Sequence, residues 1–261
     1  MIRVGVIGAA GKMGRSVLAA VEAAEDLELT CVVDPLVDRL DLDASILAVT
    51  SPADLPEGVA DVLVDFTNPE AAKAHLPATL RKGFHLVVGT TGLGQGELDE
   101  LAAISSTTGA NVLMAANFAI GAILLMRFAA QAAPYFEGVE VIELHHDQKL
   151  DAPSGTAIKT AEAIAAARER AGRGAPHDPT TTEVVPGARG ASGAGGVHVH
   201  SVRLPGLVAH EEVIFGDPGQ GLTLRHDSYD RVSFMAGVLL AVRRIQTRPG
   251  VTIGLDPLLD S

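Results

Sequence analysis

The spacing of apolar and polar positions changes rhythm near the middle of the chain. In the first half, short apolar runs at Arg3–Ile7, Leu29–Val33, Val62–Phe66, His85–Val88 and Val112–Ala115 predict strands. Between them, the Ala, Leu and Glu spacings of Met13–Ala24, Pro69–Lys82 and Gly96–Thr107 predict helices. Apolar strands alternating with helices form parallel βαβ units buried on both faces. From about Gly138 the pattern shifts to β-branched stretches joined by Gly and Pro turns: Val139–His145, Thr182–Val185, Val197–Leu204, Val208–Phe215 and Leu222–His226. One strong helix interrupts them at Gly155–Arg170. A mixed or antiparallel sheet with few helices is expected there, in a second domain starting near Phe118. The last apolar stretch, Arg231–Ile245, is expected to be an amphipathic helix that packs back on the first domain. The Gly/Ala run Gly187–Gly196 is expected to be flexible, as a lid or an inter-subunit arm.

Composition narrows the class. Of 261 residues, 47% are hydrophobic and 20% charged, a globular balance that excludes disorder. Twenty Lys and Arg against 32 Asp and Glu leave a net charge of −12, with 3% aromatics and no Trp. Such a surface repels phosphate backbones and offers few stacking platforms, so no nucleic-acid partner is expected. An anionic small-molecule substrate would need a local basic site. The single Cys31 has no internal partner, which fits a reducing compartment. The opening residues run straight into a strand without a signal-peptide pattern, and no apolar run reaches the length of a membrane span. A cytoplasmic protein with no membrane partner is expected.

Two segments carry candidate chemistry. After Val4–Ile7 comes Gly8-Ala9-Ala10-Gly11-Lys12-Met13-Gly14 and then an amphipathic helix. Glycines permit a tight turn and close approach of a pyrophosphate, which the helix N-terminus attracts. Asp34 ends the next strand, 20 residues past Gly14, where a carboxylate accepts ribose hydroxyls. Asp34 would repel a 2′-phosphate and Lys12 could offset that, so both NADH and NADPH are expected to be accepted. Phe66 and Thr67 close one later strand, and Gly89, Thr90 and Thr91 close another, at the edge where doubly wound sheets bind ligands. The expected fold is therefore α/β, an N-terminal Rossmann-like doubly wound parallel sheet plus an α+β domain with an open mixed sheet. Residues 1–117 with 231–261 form the dinucleotide-binding domain in this reading, and residues 118–230 the substrate-binding and oligomerisation domain.

The second segment is Glu140–Ala157. A strand delivers His145, His146 and Lys149 into a short loop that Pro153 stops, and Ser154-Gly155-Thr156 opens a helix. That helix start can cap itself or bind a carboxylate. With Lys149 and His146 it makes an anion site in an acidic protein, and His145 can exchange a proton near neutral pH. Adjacent strand residues point to opposite faces and no Cys or close carboxylate completes a ligand set, so no metal is expected. His198 and His200 share a strand face, read as an exposed polar one.

At this motif the chain resembles the dihydrodipicolinate (4-hydroxy-tetrahydrodipicolinate) reductase family, in its actinobacterial branch. The likeness extends over nearly the whole chain, through Asp65-Phe66-Thr67, Gly89–Gly92, Asn117–Gly121, Pro186–Gly190 and Asp230–Phe234. It implies NAD(P)H-dependent reduction of a cyclic imine dicarboxylate in the diaminopimelate route to lysine, by a homotetramer. It implies His145 as proton donor or acceptor and Lys149 as the second donor. His146, Ser154, Gly155 and Thr156 would bind substrate. Gly8, Ala9, Ala10, Gly11, Lys12, Met13, Asp34, Gly89, Thr90, Thr91, Ala115, Ala116, Asn117 and Phe118 match cofactor contacts. Arg231 and Phe234 match positions near the cofactor in some members. The family usually has Pro before the Asn-Phe pair, where this chain has Ala116, which frees φ there.

Two other readings share these features. Another two-domain NAD(P)-dependent dehydrogenase, such as homoserine dehydrogenase, would carry the same first turn. A thiol-dependent aldehyde reductase is excluded, because Cys31 lies in a first-domain strand. A non-catalytic NADH-sensing module would explain Gly8–Gly14 but leave His145–Thr156 without a purpose. Alternating apolar residues at Val197, Val199 and Val208–Ile214 are expected to meet another subunit.

Overall fold

The structure is a computed structural model and describes residues 1–260. The chain forms two compact units, residues 1–119 with 231–260 and residues 120–230. In the first, β1 (Ile2–Ile7), β2 (Leu27–Val33), β3 (Leu47–Val49), β4 (Val62–Asp65), β5 (His85–Val88) and β6 (Val112–Met114) alternate with α1 (Lys12–Glu22), α2 (Pro69–Arg81) and α3 (Gln95–Thr108). The chain re-enters this unit with α6 (Met235–Arg244) and β12 (Val251–Ile253). All seven strands are parallel, in the order β12-β6-β5-β4-β1-β2-β3. The sequence runs outward from β1 in one direction and from β4 in the other, so β1 and β4 flank the switch point of the sheet.

Local chemistry explains these elements. β4 reads Val-Leu-Val-Asp and is buried at every position, as a strand covered on both faces must be. Helix α1 buries Gly14, Val17, Leu18 and Val21, a single stripe at helical spacing. Pro69 starts α2 behind Asn68, whose side chain accepts the Ala71 N–H. The strands β3 and β12 are additions to the sequence reading. Each has three residues, too few for an alternation to show. The stretch Arg231–Ile245 is not one helix: a 3-10 turn at Arg231–Phe234 precedes α6 and another follows from Ile245. α6 packs on α1.

The second unit holds α4 (Ile120–Ala132), β7 (Gly138–His145), α5 (Gly155–Arg170), β8 (Ala191–Ser192), β9 (His198–Arg203), β10 (Ala209–Asp217) and β11 (Gln220–Ser228). The sheet order is β11-β10-β7-β9-β8, mixed in direction because β7 and β9 alone pair parallel. Val139 and Val141, Val199, and Val213 with Phe215 share one face. They pack with Leu125, Ala129, Ala161 and Ile164 of α4 and α5. Helix α4 escaped the sequence reading because its Ile-Gly-Ala-Ile-Leu-Leu-Met start is apolar without a period.

Four expectations are corrected here. Thr182–Val185 is not a strand: Glu183 takes the N–H groups of Gly187 and Arg189, which turns the chain. Pro176, Pro179 and Pro186 punctuate this stretch, and such residues cannot donate to a ladder. Gly187–Gly196 is not a loose arm, since it contains β8, the 3-10 turn Ala194–Gly196, and Arg189 paired to Glu140 and Asp178. Val197 and Val199 face their own helices rather than another subunit, being 0% and 3% exposed. His198 and His200 are only partly exposed, and pair with Asp178 at 3.1 Å and Glu140 at 2.7 Å.

Candidate active site

The first unit gathers its candidate residues on the carboxyl edge of the parallel sheet. Gly8 follows β1 with φ of +80°, a backbone conformation open to glycine. A Cβ at Gly14 would stand 2.1 Å from the Gly8 carbonyl oxygen, so α1 can pack this close to β1 only through glycine. Helix α1 begins behind Gly11 with no side-chain cap and no acidic residue in its first turn, which leaves its first N–H groups for an anion. Ala9 is buried, Ala10 and Met13 are partly buried, and Gly11 and Lys12 are exposed.

Asp34 is 8% exposed and binds the turn from the side: Oδ2 accepts the Ala10 N–H at 2.9 Å and Oδ1 the Leu36 N–H at 2.8 Å. Each oxygen retains a further lone pair for a hydroxyl. A cavity of about 360 Å³ opens at the switch point, lined by Gly8, Gly11, Asp34, Ser51, Thr67 and His75 among others. Asp34 and His75 are its ionisable lining groups among the described residues.

Asp65, fully buried at the end of β4, ties the two later turns together. Its Oδ1 accepts from the Thr67 N–H at 3.0 Å, the Thr67 hydroxyl at 2.8 Å and the Thr90 hydroxyl at 3.1 Å. Its Oδ2 lies 2.5 Å from Nε2 of His75. A Cβ at Gly89 would overlap the Phe66 ring, which meets Phe118 edge-on at 5.7 Å between centroids. Ala115 is anchored by its N–H to Val88, Asn117 turns the chain by accepting the Ala119 N–H, and Ala116 is exposed. Thr91 is exposed beside Thr90. Exposed Arg231 and partly buried Phe234 lie in a 3-10 turn that packs on α1.

In the second unit β7 ends at His145, and α5 opens at Ser154 and Gly155. Glu143 joins the two. Its Oε2 lies 2.5 Å from His145 Nδ1, and its Oε1 accepts the Ser154 N–H at 3.2 Å. Arg203 of β9 grips both oxygens, at 2.8 and 2.7 Å. Burial acts to raise the Glu143 pKa, but Arg203, Ser201 and His145 outweigh it and hold the carboxylate below its ordinary range. Burial lowers the His145 pKa, Glu143 opposes that, and the charges of Lys149 and Arg203 lower it further. The imidazole is therefore neutral at neutral pH, donating from Nδ1 to Glu143 and turning Nε2 to proton exchange.

The Ser154 hydroxyl caps α5 by accepting the Ala157 N–H at 3.2 Å, and Gly155 and Thr156 precede that bond in the first turn. A Cβ at Gly155 would meet nothing within 4 Å, so the helix mouth is open. Lys149 turns back through its N–H to the His146 carbonyl, and its ammonium pairs with exposed Asp151 at 2.8 Å. That pair is solvated and readily exchanged. His146 is exposed. Glu143 and Arg203 were absent from the sequence reading. The period of two along β7 could have exposed Glu143, two positions before His145, whereas Arg203 becomes its neighbour only through the pairing of β7 with β9.

Comparison with known proteins follows this geometry. Residues 2–118 match the family described as dihydrodipicolinate reductase, N-terminus, and residues 121–259 match dihydrodipicolinate reductase, C-terminus. The chain is 54% identical over 260 residues to the 4-hydroxy-tetrahydrodipicolinate reductase of Nocardia farcinica, with 99% of each chain covered. It is 52% identical over 261 residues to that of Mycolicibacterium vanbaalenii, again with 99% of each covered. A solved structure of dipicolinate-bound dihydrodipicolinate reductase from a Paenisporosarcina species superposes with a TM-score of 0.89 at 40% identity. That match covers 98% of this chain and 99% of the other.

Proposed function

The chain belongs to the dihydrodipicolinate reductase family, and from that premise we propose how its residues divide the work of the reaction. The activity is the NAD(P)H-dependent reduction of 4-hydroxy-tetrahydrodipicolinate to tetrahydrodipicolinate, in diaminopimelate and lysine biosynthesis. The first unit is the NAD(P)-binding one. Bound NAD(P)H supplies the hydride. The Gly8–Gly14 turn and the uncapped start of α1 take the pyrophosphate, and Asp34 takes the adenosine ribose. Phe66, Thr67, Gly89–Thr91 and Ala115–Phe118 border the nicotinamide half, with Arg231 and Phe234 beside them.

The second unit takes the substrate. One carboxylate sits on the Gly155 and Thr156 amides with Ser154 and His146 beside it, and Lys149 leaves Asp151 to neutralise carboxylate charge. His145, which keeps its Nδ1 hydrogen on Glu143, takes up a second proton at Nε2 from solvent and passes it to the substrate. The observation that carries this reading is the Glu143 carboxylate, which fixes the His145 ring from one oxygen and the opening of α5 from the other. Proton donor and carboxylate seat are thereby held by one group. Lys149, the cation of the same loop, is the second proton source.

The test is steady-state turnover of His145→Ala, Lys149→Ala and the double variant, with nucleotide affinity measured alongside. Each single variant should lose about 10²–10⁴-fold in kcat, the range for a positioned acid or base, while NADH binding persists. Wild-type turnover in a folded double variant sinks the assignment.

A homotetramer is part of the same proposal. One face of the five-stranded sheet is covered by α4 and α5. On the opposite face Ile142, Val202 and Ile214 stand partly exposed, with Ile214 at 39%. A stable monomer in light scattering at micromolar concentration rejects it. The cytoplasm is the proposed compartment, a reading that the free, buried thiol of Cys31 supports. No helix among the described residues is long and apolar enough to cross a membrane.

A further inference from the structure

Four strands of the second unit place a polar row on one face of their sheet, buried at Glu143 and Glu211 and exposed at Ser201. Ser201 of β9, Glu143 of β7, Glu211 of β10 and His226 of β11 stand directly opposite one another in register. Opposed side chains on neighbouring strands lie roughly 5 Å apart at Cβ. The row thus brings two carboxyl groups together. Arg203 is the cation beside them, and both of its terminal nitrogens bind Glu143. His226 supplies no counter-charge: burial lowers its pKa, with Asp227 opposing and His210 assisting. From α5 the group facing Glu211 is the Thr160 hydroxyl, and from α4 Gly121 packs against the His226 ring.

Glu211 is 4% exposed, and its Oε1 is buried without a hydrogen-bond partner. An ionised carboxylate left so would be costly. The hydroxyl beside it points to the same conclusion. The Thr160 hydroxyl spends its one hydrogen on the Thr156 carbonyl, at 3.1 Å. It therefore has none to give Glu211, and Oε1 stays without a donor. Burial, opposed by Thr160 and aided by the Glu143 charge, pushes the Glu211 pKa up to about 7.

We propose that Glu211 acts as a neutral acid that positions the substrate site, leaving the Thr160 hydrogen to the Thr156 carbonyl and Glu143 as the one charged carboxylate of the row, paired with Arg203. When Glu211 ionises, Thr160 must turn its hydrogen to the new carboxylate and release the Thr156 carbonyl. A second negative charge then stands beside Glu143, on which the orientation of His145 depends. Dicarboxylate affinity and kcat/KM therefore decline together as pH rises through the titration of Glu211.

The inference rests on the placement of substrate at Gly155–Thr156 and of the proton on His145, which His145→Ala tests separately. Its own test compares kcat/KM and the affinity of pyridine-2,6-dicarboxylate in the wild-type protein and Glu211→Gln between about pH 6 and pH 9. Glutamine keeps the neutral shape. The wild type should lose about 10-fold or more across that span in a limb that Glu211→Gln lacks. Superimposable profiles overturn the proposal, whatever His145→Ala shows. Infrared spectroscopy of the wild-type protein gives a reading that needs no variant to fold. A buried carboxylic-acid carbonyl band should be present below neutrality and vanish with a midpoint near the value above. A spectrum without that band also overturns it.

Discussion

Nδ1 of His145 stands 2.5 Å from Oε2 of Glu143, two positions earlier on the same face of β7. The other oxygen of that carboxylate holds the Ser154 N–H, and Arg203 balances its charge. A proton-transfer group is thus oriented by a carboxylate that cannot itself reach solvent. Glu143 is a positioning residue in this scheme, and its role separates from that of a mere structural ion pair.

Glu143→Gln should reduce kcat by about 10²–10⁴-fold, because an amide cannot fix the imidazole as a carboxylate does. Arg203 would also lose its buried counter-charge while keeping the Val202 and Asp151 carbonyls, with a stability loss below the ~3–5 kcal/mol typical of a broken buried pair. The distinguishing measurement is the pH profile. Glu143 raises the His145 pKa against burial, so its removal should move the alkaline limb of kcat/KM, where the proton donor is lost, to lower pH. An unmoved limb with only a lower melting temperature would reduce Glu143 to scaffolding.

Gly155→Val should fold normally, since the added side chain enters open space. It should nevertheless raise KM and weaken pyridine-2,6-dicarboxylate by about 10-fold or more, by covering the N–H groups of the first helical turn. Isothermal titration of the dicarboxylate checks this. Unchanged affinity would move the carboxylate seat away from α5.

Asp34→Ala should weaken NADH more than NADPH, by about 1–3 kcal/mol, because charge-assisted bonds to ribose hydroxyls disappear while repulsion of a 2′-phosphate is relieved. The melting temperature should fall as well, because the Ala10 and Leu36 N–H groups lose their acceptor. Fluorescence titration with both nucleotides decides the matter. Equal losses would leave Asp34 as a turn residue alone.

Asp65→Ala should destabilise the first unit by about 1–3 kcal/mol for each buried donor left without water. The donors at stake are the Thr67 N–H and hydroxyl and the Thr90 hydroxyl, with His75 facing the second oxygen. Both nucleotides should weaken together, unlike in Asp34→Ala, because the two turns lose their common anchor. Thermal melts and nucleotide titration read the two effects.

Stability should fall on mild acidification. Burial lowers the His85 pKa against the opposing Asp61 charge, and His85 Nδ1 accepts the Asn111 N–H at 3.0 Å. The unfolded chain takes up the proton first, so this contribution is full above about pH 6.5 and is lost as pH falls through the lower folded value. His145 and His226 act in the same direction. Melting temperature against pH should drop below neutrality, and His85→Gln should flatten that drop. An equally steep decline in the variant would remove His85 from the account.

Much of the fold was legible along the chain because its signals are local. Apolar strands, helical stripes, the glycines before α1 and the strand–loop–helix of Glu140–Ala157 are each set by residues a few positions apart. Short range was also the limit. β3 and β12 are too brief to show a period, and α4 is too uniformly apolar.

Along β9 the period of two put Val197 and Val199 together and His198 and His200 together, yet said nothing of which set would be covered. Packing of α4 and α5 decided that, burying the valines and leaving the histidines to pair with Asp178 and Glu140. The same holds for Glu143, Arg203 and Glu211, which are far apart in sequence. Strand register alone makes them neighbours, and only burial under the helices turns a row of ordinary charges into one pair and one neutral acid. Side-chain alternation is a property of a single strand, whereas desolvation and pairing belong to the assembled sheet.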